Sequence, residues 1–173
     1  IPDLPSIVSP ADLVVPAGLS GTAYDAVLAG SEFLWDDYEI GERIDHVDGM
    51  TIEEAEHMMA TRLFHNTARV HFNQSVEQHG RLSYNGLANA QTVLAINGGT
   101  HCNPTFAGDT IHAWSEVLDK VELPGRTDVG ALRTRLVATK DLPATDFPLK
   151  GEDGKYLPNV VLDLDLTLLI PRR

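Results

Sequence analysis

The chain has 173 residues, 43% of them hydrophobic and 22% charged, which is the composition of one domain with a real core and not of a disordered tail. Its formal net charge of -12, from 25 acidic and 13 basic residues, disfavours nucleic acid and anionic membrane as partners, although a few local arginines suffice for a phosphorylated ligand. The single cysteine, Cys102, excludes an internal disulfide and favours an intracellular, cytoplasmic protein; no apolar run approaches the ~20 residues of a membrane span, and no stretch reads as a signal peptide.

Ile1 to Gly18 carries Pro2, Pro5, Pro10 and Pro16. Proline fixes φ and removes donors, so this stretch reads as an extended connector and not a packed element. The opening Ile-Pro-Asp-Leu-Pro reads as a fragment reached through a linker, with residues 1–30 as lead-in to a domain over 31–173. Ala23 to Phe33 reads as a short helix with Gly30 near its end, and Trp35 to Tyr38 as a loop. Gly41 to Val47 fits a strand with Ile44 on one face and Arg43 and Asp45 on the other, and Asp48-Gly49 is a turn signal. Thr51 with Glu54 forms a capping box, and Ile52, Ala55, Met59 and Leu63 recur at helical spacing as a core-facing stripe. Just beyond the helix lies a polar knot, Asn66-Thr67-Ala68-Arg69-Val70-His71, in the kind of position where sites gather.

Leu82 to Ala90 gives mixed signals. Gln91 to Ile96 suits a strand, Asn97-Gly98-Gly99 a bend, and Asn103-Pro104 a further turn. Thr110 to Leu123 and Val129 to Thr139 alternate as two strands around Pro124-Gly125. Pro143 to Pro158 reads as a polar loop. In Val160 to Ile170, Asp163, Asp165 and Thr167 alternate with leucines, which predicts one dry and one wet face. No internal repeat or low-complexity tract interrupts the chain. The sum is an α+β domain with several long antiparallel strands.

The residues alone leave most candidates with a bland reading. His71 by itself reads as a structural histidine bonded to a backbone carbonyl. His57 and His65 read as structural or exposed, and Glu53, Glu54 and Glu56 as a solvated helix start. His101-Cys102-Asn103 lacks a second cysteine or a spaced histidine pair, so a metal site is not expected and Cys102 reads as a small core residue. Asp109 reads as a turn-former. Arg126, Arg133 and Arg135 are candidates for phosphate contacts; for Arg133 and Arg135 a solvated strand face is the preferred reading.

The order of elements, the knot at Asn66 to His71 and the run Pro104-Thr105-Phe106-Ala107-Gly108-Asp109 resemble the MaoC-like hydratases of the hot-dog superfamily. The family carries an Asp-x4-His pair after a short helix, onto which Asn66 and His71 fall, and a Pro-x-x-x-Gly-Asp turn into a long strand. The stretches FLWDDYEIGERIDHVDGMTIEEAEHMMATRLFHNTARVHFN, HCNPTFAGDTIHAWSEVL and PGRTDVGALRTRLVATKD, with the ending LIPRR, are similar to the C-terminal half of the family's branch that acts on mesaconyl-CoA. The resemblance covers nearly everything after residue 30. It implies a hot-dog fold, a curved antiparallel sheet around a central helix, as one half of a double hot dog whose N-terminal half precedes Ile1.

Two departures stand out. Asn66 replaces the usual aspartate, as it does in that branch. Arg81 runs straight into Leu82-Ser83-Tyr84-Asn85-Gly86, where the family has a Val-x-Gly-Gly-His-like strand and the first turns of the central helix, so a segment is expected to be left out there.

What the resemblance implies is reversible hydration of an enoyl-CoA thioester by a hydro-lyase. His71 would act as base and then acid, because imidazole titrates near neutral pH, and Asn66 would orient water or His71 without accepting a proton. Arg69 would meet the substrate's free carboxylate, with a surface ion pair as the level alternative. Gly108 and Asp109 would line the substrate. No cofactor is implied, since CoA is part of the substrate, and homo-oligomers are expected. Two other readings remain: a non-catalytic half that shapes the CoA tunnel and dimer interface, favoured by Asn66, and a hydratase for a related thioester such as itaconyl-CoA.

Overall fold

The computed structural model describes residues 7–65, 92–142 and 148–173. Five strands, β1 (Arg43–Thr51), β2 (Thr92–His101), β3 (Thr110–Glu122), β4 (Val129–Lys140) and β5 (Val160–Pro171), form one sheet in the order β1-β3-β4-β5-β2. Every neighbouring pair is antiparallel. Two helices are described, α1 (Ala26–Ala29) and α2 (Glu54–Leu63). The central helix that the resemblance implies lies outside the described residues.

The alternating stretches of the sequence become β3, β4 and β5 almost residue for residue. In β1, Ile44 is half-buried against the main core while Arg43 and Asp45 are exposed. The short helix forms where Asp25 accepts from Val27 N and Leu28 N, and it stops at Gly30, whose φ of 68° is left-handed. The core on one face gathers Trp35, Val117, Leu132, Leu166, Leu168 and Ile170. Trp35 sits in a 3-10 turn, donates its indole N–H to Ala131 O at 3.0 Å, and has Lys120 Nζ at 4.4 Å and Arg172 Cζ at 4.6 Å from its ring centroid.

Several expectations are corrected by long-range packing. The proline-rich lead-in is not an unpacked connector: Leu13 and Val15 pack on Leu123, Val129, Ala131 and Leu169, and Val8 N donates to Asn97 Oδ1. Asp48-Gly49 does not end the strand but lies in an irregularity within β1, between His46 and Met50. A Cβ on Gly49 would lie 2.5 Å from the His112 ring on β3, so a close approach and not a turn requires this glycine. Asn97-Gly98-Gly99 likewise stays in β2, with a register shift between Ile96 and Gly98.

Thr51 is not a helix cap. It ends β1, where its hydroxyl bonds that of Thr110 at 2.9 Å, and α2 begins three residues later, at Glu54, behind Glu53, which makes no side-chain cap bond. Of the expected core stripe only Ile52 is buried, at 5% exposure; Met59 and Leu63 are exposed. The predicted wet face of β5 is also corrected. Asp163, Asp165 and Thr167 are all buried, because β4 supplies partners to the two carboxylates across the sheet.

Candidate functional site

The Gly108–Asp109 turn is the part of the expected site that the described residues contain. It lies where β1 ends and β3 begins, since Thr51 pairs with Thr110. Gly108 takes a φ of 96°, which suits glycine. Asp109 closes the turn on itself, accepting from Phe106 N at 2.8 Å through Oδ2, while its backbone N–H donates to Phe106 O. Two backbone bonds then tie the turn to the residue ahead of α2: Gly108 N donates to Ile52 O and Ile52 N donates to Asp109 O, both at 2.9 Å. Asp109 is therefore a turn-former, as its sequence context indicates, and its carboxylate is held by protein partners.

The helix α2 leaves this junction with Glu54 and Glu56 in its first turn and Arg62 in its last, the charge order that the helix dipole favours. It ends at Phe64 and His65, both exposed, with His65 at a φ of 52°. Asn66, Arg69 and His71 follow at once in the sequence but lie outside the described residues, as does the junction of Arg81 with Leu82. The structure thus brings the turn and the start of α2 together; the candidate pair follows that helix in the sequence.

On the opposite face from the Trp35 core runs a band of charge that sequence reasoning assigned to solvent. Arg135 reaches Asp163 by two bonds, Nε to Oδ1 at 2.9 Å and Nη2 to Oδ2 at 2.7 Å, and Tyr156 donates its hydroxyl to the same Oδ2 at 2.8 Å. Arg133 makes the matching fork onto Asp165, whose Oδ1 also accepts from Asn97 Nδ2 at 2.8 Å. Burial alone would raise the Asp163 carboxyl, but the Arg135 and Tyr156 hydrogen bonds outweigh it and hold it below the usual carboxylate range. Burial and the Asp163 carboxylate together push the Tyr156 phenol up. Arg133 and Arg135 are consequently committed to the sheet and are not a solvated strand face. The signal was present in part: β4 has arginines two apart and β5 aspartates two apart, but the register sets Arg133 opposite Thr167 and Arg135 opposite Asp165, so each arginine forks the aspartate diagonal to it.

Arg126 is similarly engaged, with Nε on Asp128 Oδ1 at 2.7 Å and Nη2 on Leu19 O at 2.8 Å, while Asp128 Oδ2 accepts from Gly21 N. This clasp anchors the lead-in beside an open cavity of about 330 Å³ lined by Leu13, Val15, Leu123 and Arg126. Cys102 packs among Trp114, Val137 and Val160, and burial pushes its thiol up to about 11, as befits an inert core residue. Among the described residues no group of His, Cys, Asp and Glu is arranged to hold a metal ion, and no helix is long and apolar enough to cross a membrane.

No family model matches the chain. It is 58% identical over 190 residues to the beta-methylmalyl-CoA dehydratase of Chloroflexus aurantiacus, a match spanning 100% of this chain and 54% of that protein. It is 54% identical over 188 residues to the mesaconyl-CoA hydratase of Cereibacter sphaeroides, spanning 99% of this chain and again 54% of the relative. The chain therefore spans about half the length of the curated relatives it matches. Among solved structures, a MaoC domain protein dehydratase from Chloroflexus aurantiacus superposes with a TM-score of 0.82 at 58% identity, over 100% of this chain and 54% of that one. A Mycobacterium tuberculosis protein described as a double hot dog superposes with a TM-score of 0.56 at 17% identity, over 82% of this chain and 44% of that one, a likeness of fold alone. The architecture is the hot dog, and the resemblance to MaoC-like proteins is borne out.

Proposed function

We propose that this MaoC-like hot-dog unit is the catalytic half of a hydro-lyase that adds water reversibly to mesaconyl-CoA, giving β-methylmalyl-CoA. The observation that carries this reading is the 58% identity, along the whole chain, to a beta-methylmalyl-CoA dehydratase. His71 takes a proton from water as the water oxygen bonds the β-carbon of the enoyl thioester. The imidazolium then returns a proton to the α-carbon, so the histidine ends neutral and the elements of water are added. Asn66 holds the water or the imidazole by a hydrogen bond and carries no proton. Arg69 forks onto the free carboxylate of the dicarboxylic substrate. The Gly108–Asp109 turn lies along the substrate at the base of α2. The rest of the longer protein supplies a second hot-dog half, and CoA enters only as part of the substrate.

The test replaces His71 with Ala in the full-length protein that carries this chain and follows hydration of mesaconyl-CoA by loss of enoyl-thioester absorbance. Turnover should fall by ~10²–10⁴-fold with the far-UV spectrum and melting midpoint kept. Nearly normal turnover would assign the chemistry to the other half. This second reading, a unit that shapes the CoA tunnel and dimer interface, is favoured by Asn66 standing where the family has a carboxylate. A side-by-side assay with itaconyl-CoA separates the two thioesters.

A further inference from the structure

Leu13 and Val15 pack with Ala131 and Leu169, whereas Trp35 packs with Leu132 and Leu168. Neighbours along a strand point to opposite faces, so the lead-in crosses from one face of the sheet to the other, and it carries α1 on the way. Both stems of α1 are fixed. Ahead of it, Arg126 Nη2 donates to Leu19 O and Gly21 N donates to Asp128 Oδ2, each at 2.8 Å, with both side chains on the connection from β3 to β4. After it, Leu34 N donates to Asp37 Oδ2 at 2.9 Å and Trp35 enters the core. The loop between the stems is closed as well. Tyr24 donates its hydroxyl to Ser31 O at 2.7 Å, Ser31 N donates to Ala26 O at 3.2 Å, and Asp25 Oδ1 accepts from Val27 N and Leu28 N.

This closed knob presents apolar groups to water. Val27, Leu28 and Phe33 are 91%, 88% and 65% exposed, and no residue of α1 is buried. Single exposed apolar residues are ordinary, but three within seven positions on a rigid loop mark a contact surface. Side chains of this size offer at most about 500 Å², short of the ~800 Å² per partner of a stable contact between free proteins. A tethered partner needs less, because its effective concentration is on the order of mM. The curated relatives supply such a body, since this chain matches only 54% of their length. Charge also disfavours a second copy: Asp25 and Glu32 flank the knob, both exposed, and the chain carries a net charge of -12. We infer that α1 is a docking knob: Val27, Leu28 and Phe33 seat in an apolar socket on the companion half of the longer protein, with Lys or Arg at the socket rim facing Asp25 and Glu32. This rests on the second half proposed above and not on the hydration chemistry.

The test puts the photo-crosslinking residue p-benzoylphenylalanine in place of Leu28 in the full-length protein, and in place of Lys155, whose side chain is 85% exposed, as the control. After irradiation, peptide mapping should join the Leu28 position to a peptide of the companion half within one chain, at several times the yield from the Lys155 position. Leu28→Asp should lower the melting midpoint of the full-length protein by at least about 2 °C, while the similarly sized Leu28→Met should keep it. A cross-link to a second copy would make the knob a self-association contact, and one only to peptides of this unit would fold it back on its own sheet. A yield no greater than at Lys155, or an unchanged midpoint for Leu28→Asp, would leave it in solvent. Each of these overturns the inference. Hydration of mesaconyl-CoA, measured on the wild type and on the same variants, tells the two failures apart. If wild type is silent on the thioester while the cross-link reaches the companion half, the hydratase reading falls and the docking stands. Normal turnover without that cross-link removes the docking alone.

Discussion

The two ends of the sheet are finished in different ways. At the end where β3 leaves, β4 begins and β5 finishes, the chain closes on itself. Trp35 plugs the core, with Lys120 and Arg172 against its ring. Arg126 and Asp128 clasp the lead-in at Leu19 and Gly21, and Arg172 and Arg173 pair with Asp36 and Asp37. At the opposite end, where β1 finishes, β3 begins and β4 finishes, polar contacts hold one turn. The helix that leaves it shows Met59, Leu63 and Phe64 at 58%, 66% and 80% exposure. The Gly108–Asp109 turn, the part of the expected site among the described residues, belongs to this second end. Among the described residues, buried apolar contacts gather at the closed end, whereas α2 at the open end has few of its own.

Substitutions can break or sharpen that contrast. The largest effect is expected for Trp35→Ala, which removes a buried indole and its bond to Ala131 O. It should cost about 3–5 kcal/mol in a denaturant titration, and a cost below about 1 kcal/mol would erase the claim that this end anchors the fold.

A middle-sized effect is expected between the two ends, at the charge band. Asp163→Asn removes a buried charge from Arg135 and Tyr156, and because Arg135 is about a quarter exposed its cost is discounted to about 2 kcal/mol at neutral pH. Its pH dependence follows from the depressed carboxyl. The unfolded chain binds the proton more readily, so this stabilisation is complete above the unfolded value near ~4 and is lost as pH falls through the lower folded value. The Asn variant should therefore show a flatter stability profile than wild type below about pH 4; parallel profiles would mean that Asp163 is not the linked group. The smallest effect belongs to the open end: Met59→Ser, in this chain as described, should change stability by less than about 0.5 kcal/mol. A cost of several times that in the full-length protein would mean that the stripe is covered there by the rest of the molecule.

Much of the frame can be read from residues alone, because it depends on local pattern. Alternation marks β3, β4 and β5, Gly30 stops α1, and the Gly108–Asp109 turn forms where its own side chain can close it. The expectations that failed share one cause: each took a local signal as final where the surroundings of the residue decided the outcome. Thr51 has the look of a cap, but Thr110, 59 positions away, takes its hydroxyl. Gly49 follows Asp48 as in a turn, but the His112 ring occupies the space where a side chain would stand. The Ile52–Leu63 stripe has helical period, but of the four residues in it only Ile52 meets a buried environment.

For the candidate site, the sequence determined the residue types and their order: an amphipathic helix, then Asn66 to His71, and far downstream a glycine-aspartate turn. The tertiary structure alone decided that the downstream turn meets the start of that helix, and that Lys140 braces it by bonds to Pro104 O at 2.8 Å and Asp109 Oδ2 at 3.3 Å. It also decided that the aspartates of β5 are buried partners of β4 arginines and not a wetted edge. The physical reason is that a period of two assigns residues to faces without naming what lies across from them. Only the register of strands far apart in the chain brings an arginine diagonal to its aspartate, or a lysine over a turn.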